Sequence, residues 1–408
     1  MPDFLSRPLG QVTVVRRRRR LTAALLSAGL LTFAAGCGSG SDTATSSSAG
    51  PSASQNGRGP GGGPGGGGPG GGNGGDTPPA CTPSSAAPTA APAAAVPAFN
   101  DTTVVSGAVT TAQAFLATLT AEQKKAVLYS FSDLGKKQCS WSNYPDDNFK
   151  GRLGVRLGDL SAAQKTAALA ALQSVLSPAG YAQVLNEMHA DDVLGQNETQ
   201  YGEANYHIVL YGNPSADKPW TLQFGGHHVA VHVSLGGDVI SVSPHFSGTQ
   251  PVSFDLDGKT VRPLGEESDT VFPLVKSLTA DQQTAAQLSG KFNDLVMGPS
   301  TDTGYPKQEG LSYTKLTAAQ QTQVKNLIKD YVSDAATAIS DPILNLYTSQ
   351  LDQTTISYSG TVTADSDNGY FRIDGPRVWI EWLNTGASGL HYHTLYRDKQ
   401  LDYGTGLS

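Results

Sequence analysis

Apolar positions in this chain follow two periods, and the switches between them divide it. Four short patterns open helical stretches: LTAEQ from Leu119, LSAAQ from Leu160, LTADQ from Leu278 and LTAAQ from Leu316. Each places Ser or Thr three residues ahead of Gln. That is a capping box, in which hydroxyl and amide satisfy backbone donors left open at a helix start. Apolar residues then recur at helical spacing: Ala285, Leu288, Phe292, Leu295 and Val296 share one face, and Val324, Leu327, Ile328, Tyr331 and Val332 another. Elsewhere the period is two. Tyr206–Tyr211, Trp220–Phe224, His227–Leu235 and Val239–Ser243 read as strands, broken by GNPSADKP, Gly225-Gly226 and Gly236-Gly237, the last pair at a tight hairpin. Thr354–Val362, Tyr370–Ile373, Val378–Trp382 and His391–Arg397 read the same way.

These elements predict an α+β fold, a mostly antiparallel sheet with helices packed beside it. Each half holds two capped helices followed by a strand block with histidines, which reads as an internal duplication with two pseudo-repeated halves. The plainer reading is that any helix beginning Ser/Thr-x-x-Gln looks alike.

Composition separates the N-terminal quarter from the rest. The run Arg16–Arg20 precedes the apolar segment Leu21–Ala35, and FAAGC ends at Cys37. A basic region, a short apolar region and small residues describe an export signal over 1–36. FAAGC resembles the lipobox of bacterial lipoproteins, with Ala34 where leucine is usual. The resemblance implies that Cys37 carries lipid and anchors the chain to the outer face of the bacterial cell membrane. The alternative is ordinary secretion. Residues 37–98 are dominated by Gly, Ser, Pro, Ala and Thr, a composition that buries too little apolar surface to fold, and they read as a disordered tether. Residues 99–408 form the folded domain. The net charge is −7, with arginines gathered in the signal, which excludes nucleic acid as a partner. Of three cysteines, Cys81 and Cys139 remain after Cys37; an exported protein can oxidise them to a disulfide, and two separate thiols is the other reading.

Several blocks in the folded part resemble a family of secreted bacterial proteins known only as a domain of unknown function: WSNYP at Trp141, RLGVRLGDLSAAQ from Arg152, LSPAGY at Leu176, PW at Pro219, GGHH at Gly225, IDGPRVWIEW and HYHTLYRDKQLDYG. The resemblance spans about Leu119 to Gly404. It implies a single unit and supplies no activity.

The chemistry lies in the histidines. LQFGGHHVAVHVSL places His227, His228 and His232 within six residues, and GLHYHTLYRD adds His391 and His393. On a regular strand His228 and His232 share one face and His227 takes the other, while the double glycine permits a bulge that re-aims one of the adjacent pair. His391 and His393 stand in the H-x-H spacing with which one strand offers two imidazoles to a metal, and Glu381 is the natural carboxylate. Symmetric pairing around Asn384–Gly389 sets Glu381 opposite Tyr392, and a one-residue bulge sets it opposite His391; register decides. The expected set is therefore His227, His228, Glu381, His391 and His393 around a divalent transition metal, zinc, copper or iron. Arg397, Asp398 and Asp402 either orient that set, bind a substrate or fix the C-terminal turn by a salt bridge. His189, His207 and His245 are isolated and read as structural, and His232 is intermediate.

No HExxH, zinc-finger cysteine pairs, G-x-S-x-G, Walker loop, Rossmann fingerprint or EF-hand occurs. Three functions remain open: a tethered metal-dependent hydrolase, a lipoprotein that binds a metal or small-molecule ligand without turnover, and histidines that only knit strands together.

Overall fold

The computed structural model describes residues 78, 80–83, 102–196, 198–236, 239–301, 304–385 and 390–407. The export signal, Cys37 and most of the tether lie outside these residues. All four capping boxes form. The hydroxyls of Thr120, Ser161, Thr279 and Thr317 accept the N–H of Gln123, Gln164, Gln282 and Gln320, whose side chains accept in return from the cap N–H. They open α2 (Ala121–Val127), α4 (Ala162–Gln173), α7 (Ala280–Ala286) and α8 (Ala318–Val332). The glutamines also work in pairs: Gln164 donates to Gln123 Oε1 at 2.8 Å, and Gln282 and Gln320 lie amide to amide at 3.0 Å. Each half thus locks two helix starts together. The helices α1 (Thr102–Thr118), α3 (Leu134–Cys139), α5 (Pro178–Leu194), α6 (Gly265–Lys276) and α9 (Thr337–Ser349) complete the set.

One expected stripe fails. α7 stops at Ala286, because Gln287 turns extended and bridges to Tyr358. Leu288, Phe292 and Leu295 are therefore not on a helix; they pack from a long loop onto the sheet.

The strands are β1 (Leu128–Tyr129), β2 (Val155–Arg156), β3 (His207–Tyr211), β4 (Trp220–Gly225), β5 (Val229–Gly236), β6 (Val239–Ser241), β7 (His245–Thr249), β10 (Leu311–Ser312), β11 (Thr355–Ser359), β12 (Tyr370–Asp374), β13 (Val378–Asn384) and β14 (Tyr392–Asp398), with β8 (Phe254–Leu256) and β9 (Lys259–Val261) as a separate hairpin. The sheet runs β1-β3-β4-β5-β7-β14-β13-β12-β11-β10, with β2 on β3 and β6 on β5. Its pairs are antiparallel except β1 with β3. Strand β7 was not legible: its residues HFSGT carry one apolar side chain, Phe246, in a short run between Pro244 and Pro251.

This order is palindromic. The first half contributes β3-β4-β5-β7, the second β11-β12-β13-β14, and β7 and β14 meet at a central seam. Local details repeat. Gly226 donates to Val229 O across one two-residue turn, and Gly375 to Val378 O across the other. Gly154 and Gly310 both adopt positive φ, 95° and 111°, where an added Cβ would fall 2.2 Å from Ile208 O and 2.4 Å from Ile356 O. Only glycine fits either place. Leu176 and Ala335, each just before a second helix, bridge to one another across the same axis. The two halves are pseudo-repeats.

Alternation along the strands makes two cores. Val229, Val231, Val233, Ile380, Trp382, Tyr392 and Tyr396 face the helices in the larger one. Ala230, Phe246, Trp379, Leu383 and Leu395 face a layer of loops that supplies Trp141, Leu288, Leu295, Met297 and Tyr403. Cys81 and Cys139 form a disulfide with Cα atoms 5.6 Å apart, fastening residues 80–83 to the end of α3.

The helix layer buries carboxyl groups. Burial raises Glu267 to about 7, and Gln183 donates to its Oε1 at 3.0 Å. An acid whose folded pKa is raised contributes stability that is full below its unfolded value and lost as pH rises through the folded one. Relative to Glu267→Gln, the wild type should therefore lose about 3 kcal/mol between pH 4.5 and 7, following about 1.4 kcal/mol per unit. Denaturant unfolding of both proteins at pH 5 and pH 8 measures the gap, and a constant gap would contradict the assignment.

Candidate metal centre

Only the first residue of GGHH, Gly225, belongs to a strand, at the end of β4. His227 and His228 are the two central residues of the β4–β5 turn, and β5 begins at Val229. Arg152, its side chain only 4 % exposed, fixes this turn by donating to Gly226 O at 2.7 Å as well as to Ser142 O and Tyr144 O. That explains why WSNYP and RLGV accompany GGHH. Turn geometry also undoes the expected separation of the two rings: they stack with centroids 3.7 Å apart.

The pairing register carries His228 to its partners. Gly248 donates to His228 O at 2.7 Å and pairs with His393 on its other side. His228, Gly248 and His393 thus lie in one row across β5, β7 and β14, and Gly248 has no side chain to hold the outer two apart. A Cβ there would meet His228 Cδ2 at 2.7 Å and His393 Cδ2 at 3.2 Å. His391, two residues before His393, falls on the same face. His228 Nε2 and His391 Nε2 are 2.9 Å apart, and His391 and His393 stand edge to face at 4.5 Å.

Carboxylates reach these rings from both layers. His393 Nδ1 meets Asp294 Oδ1 at 3.1 Å, and Asn143 holds the other oxygen of Asp294 at 2.8 Å. Burial alone would raise Asp294, but the hydrogen bond and charge of His393 outweigh it and hold the carboxyl below its usual range. From α5, Asp191 Oδ1 lies 2.8 Å from His227 Nδ1 and 3.7 Å from His228 Nδ1. Burial, and then the neighbouring histidines, push His228 and His391 well below the usual histidine range, so both rings are neutral, the form that ligates. Buried His393 Nε2, His228 Nδ1 and Asp191 Oδ2 have no hydrogen-bond partner among the described residues. Two groups are positioned to hold a metal ion: His228, His391 and His393, and Asp191, His227 and His228, each with ligand atoms within 4.8 Å of one another.

Of the expected residues, the structure brings together His227, His228, His391 and His393. Glu381 is elsewhere. It pairs with Leu395, and its carboxylate accepts from Val296 N–H, Met297 N–H and the Tyr370 hydroxyl. Those bonds hold the long loop on the sheet, and leave Glu381 a structural anchor. Neither expected register for Glu381 is the observed one, because the β13–β14 strands pair Asn384 with Tyr392.

Arg397, Asp398 and Asp402 knit the C-terminal turn instead of lining the histidines. Arg397 donates to Asp402 Oδ2 at 2.7 Å and Met297 O at 2.9 Å, and Asp398 accepts from Arg377 at 2.7 Å. His207 pairs with Asp146, His232 with Pro244 O, and His245 sits 4.0 Å from Asp334. Burial lowers His232 to about 3 and His245 to about 4. Asp191, Asp294 and Gly248 had no local signal in the sequence, since each matters only through a contact made across the fold.

Fold and site together define an α+β protein with a buried histidine and carboxylate cluster positioned to hold a metal ion. The chain belongs to the family described as a protein of unknown function, DUF3500, whose model matches residues 101–405. No curated protein and no solved structure matches it. Among the described residues no helix is long and apolar enough to cross a membrane.

Proposed function

We propose that this protein is a metal-dependent hydrolase, tethered by lipid at Cys37 to the outer face of a bacterial cell membrane. The observation that supports it most is His393: Nδ1 rests on Asp294 while the buried Nε2 meets nothing and lies beside His228 and His391. A ligating histidine has that arrangement, with a carboxylate fixing the tautomer through the far nitrogen. Three imidazoles suit zinc, copper or iron, and three protein ligands leave a fourth position for water. A metal so held lowers the pKa of its bound water and polarises a carbonyl or phosphoryl oxygen. His391 is half-buried, and Asp294 is 34 % exposed, so a small substrate reaches the cluster from that rim.

Zinc titration of the purified domain with a competing chelator tests the reading. Wild-type protein should bind zinc tightly, His391→Ala should abolish binding at the His228, His391 and His393 centre, and Asp294→Ala should weaken it there about 10- to 100-fold. Hydrolysis of an ester, amide and phosphoester panel should follow metal content. Zinc bound without turnover on any of them would replace the hydrolase by a metal-binding lipoprotein, and failure to bind zinc, copper or iron would remove the centre. Cys37→Ser should move the protein from the membrane to the soluble fraction.

A further inference from the structure

His228 differs from His393 in a way that a single metal leaves unexplained. His393 has one ring nitrogen on a carboxylate and one open. His228 has Nε2 against His391 Nε2 and a second nitrogen, Nδ1, that is fully buried and makes no hydrogen bond. The nearest carboxylate oxygen, Asp191 Oδ1, is 3.7 Å away, too far for an N–H···O bond. A ligand imidazole in a single-metal centre would donate that N–H to its carboxylate.

We infer that His228 bridges two metal ions, with Nε2 in the His391–His393 centre and Nδ1 in a second centre completed by Asp191 and His227. This rests on the metal centre proposed above and deepens it. Ligand bonds of about 2.0–2.1 Å in tetrahedral array place donor atoms roughly 3.3 Å apart. The separations from Asp191 Oδ1, 2.8 Å to His227 Nδ1 and 3.7 Å to His228 Nδ1, bracket that value. Asp191 Oδ2, buried and without a hydrogen bond among the described residues, is a further ligand atom on the same carboxylate. The turn accounts for the geometry. In this turn the rings of His227 and His228 lie 3.7 Å apart, both Nδ1 atoms come within 3.7 Å of Asp191 Oδ1, and His228 Nε2 meets His391. When both nitrogens of His228 bind metal, the one proton of the neutral ring passes to solvent, and the bridging group is an imidazolate.

Copper(II) is the probe, because two copper ions joined through one imidazolate couple magnetically and lose the ordinary isolated-ion resonance. Wild-type protein should bind two equivalents of copper with a strongly diminished resonance. Asp191→Asn and His227→Gln, which keep the volume of each side chain, should bind one equivalent with a full isolated-ion signal. His391→Ala should leave the Asp191 centre able to take one equivalent. Circular dichroism confirms that each variant is folded. One equivalent in the wild type, unchanged by Asp191→Asn, would overturn the bridge and leave the three-histidine centre standing. Two equivalents without coupling would place the second ion away from His228 and overturn the bridge as well. No bound copper in any folded variant would overturn both readings.

Discussion

Replacing Gly248 by alanine should leave a folded protein whose affinity for zinc has fallen by about 100-fold or more, at least the effect of losing an orienting partner. The new methyl would sit 2.7 Å from His228 Cδ2 and 3.2 Å from Cγ, so a whole ring must swing, not the tip of a flexible chain. That ring is fixed on one side by the stacked His227 and on the other by His391 at 2.9 Å. The only way to make room is to separate His228 from His393, which removes the convergence. Overpacking should cost about 1–3 kcal/mol of stability besides. Chelator competition and thermal unfolding measure the two effects separately. Full affinity in a folded Gly248→Ala protein would mean that the row His228–Gly248–His393 does not build the centre.

Asp398→Ala should do the reverse, costing about 3–5 kcal/mol of stability while leaving the metal affinity of folded molecules intact. Asp398 takes two bonds from Arg377, at 3.1 and 2.7 Å, and one from the Tyr347 hydroxyl at 2.7 Å, all in the interior. Truncation takes the carboxylate away from a guanidinium that is 1 % exposed. The penalty comes from that buried charge more than from the lost attraction, so Arg377→Met with Asp398→Leu should recover much of it. Urea unfolding of the three proteins gives the comparison. A metal affinity that falls with Asp398→Ala would return Asp398 to the site and contradict the reading of it as a clamp.

What could be read from the sequence was whatever depends on neighbours in the chain. The four capping boxes are each complete within Ser/Thr-x-x-Gln, and the apolar face of α8 repeats within one helix; Val324, Leu327, Ile328, Tyr331 and Val332 are all buried. H-x-H was legible for the same reason. The stripe through Leu288 and Leu295 misled because apolar spacing fits a loop that packs on a sheet as well as it fits a helix. Glu381 misled because its position depends on where a hairpin closes: it shares the face of His393 but pairs with Leu395, further along the strand from the histidines. Asp191 and Asp294 could not be found at all. They reach the histidines from a helix and a loop 36 and 99 residues away, and no local pattern marks a carboxylate for such use.

The equivalent two-residue turns now read as a division of labour. Where the first half carries His227 and His228, the second carries Pro376 and Arg377, and Arg377 is spent on the clamp. Among the described residues the metal-ligating groups lie at one end of the sheet, yet that end belongs to neither half: His228 comes from before the seam, His391 and His393 from after it. An ion bound there is a clasp, favouring by mass action only the state in which β7 and β14 have already paired. Loading would therefore follow closure of the seam and would mark those molecules whose two halves have paired correctly.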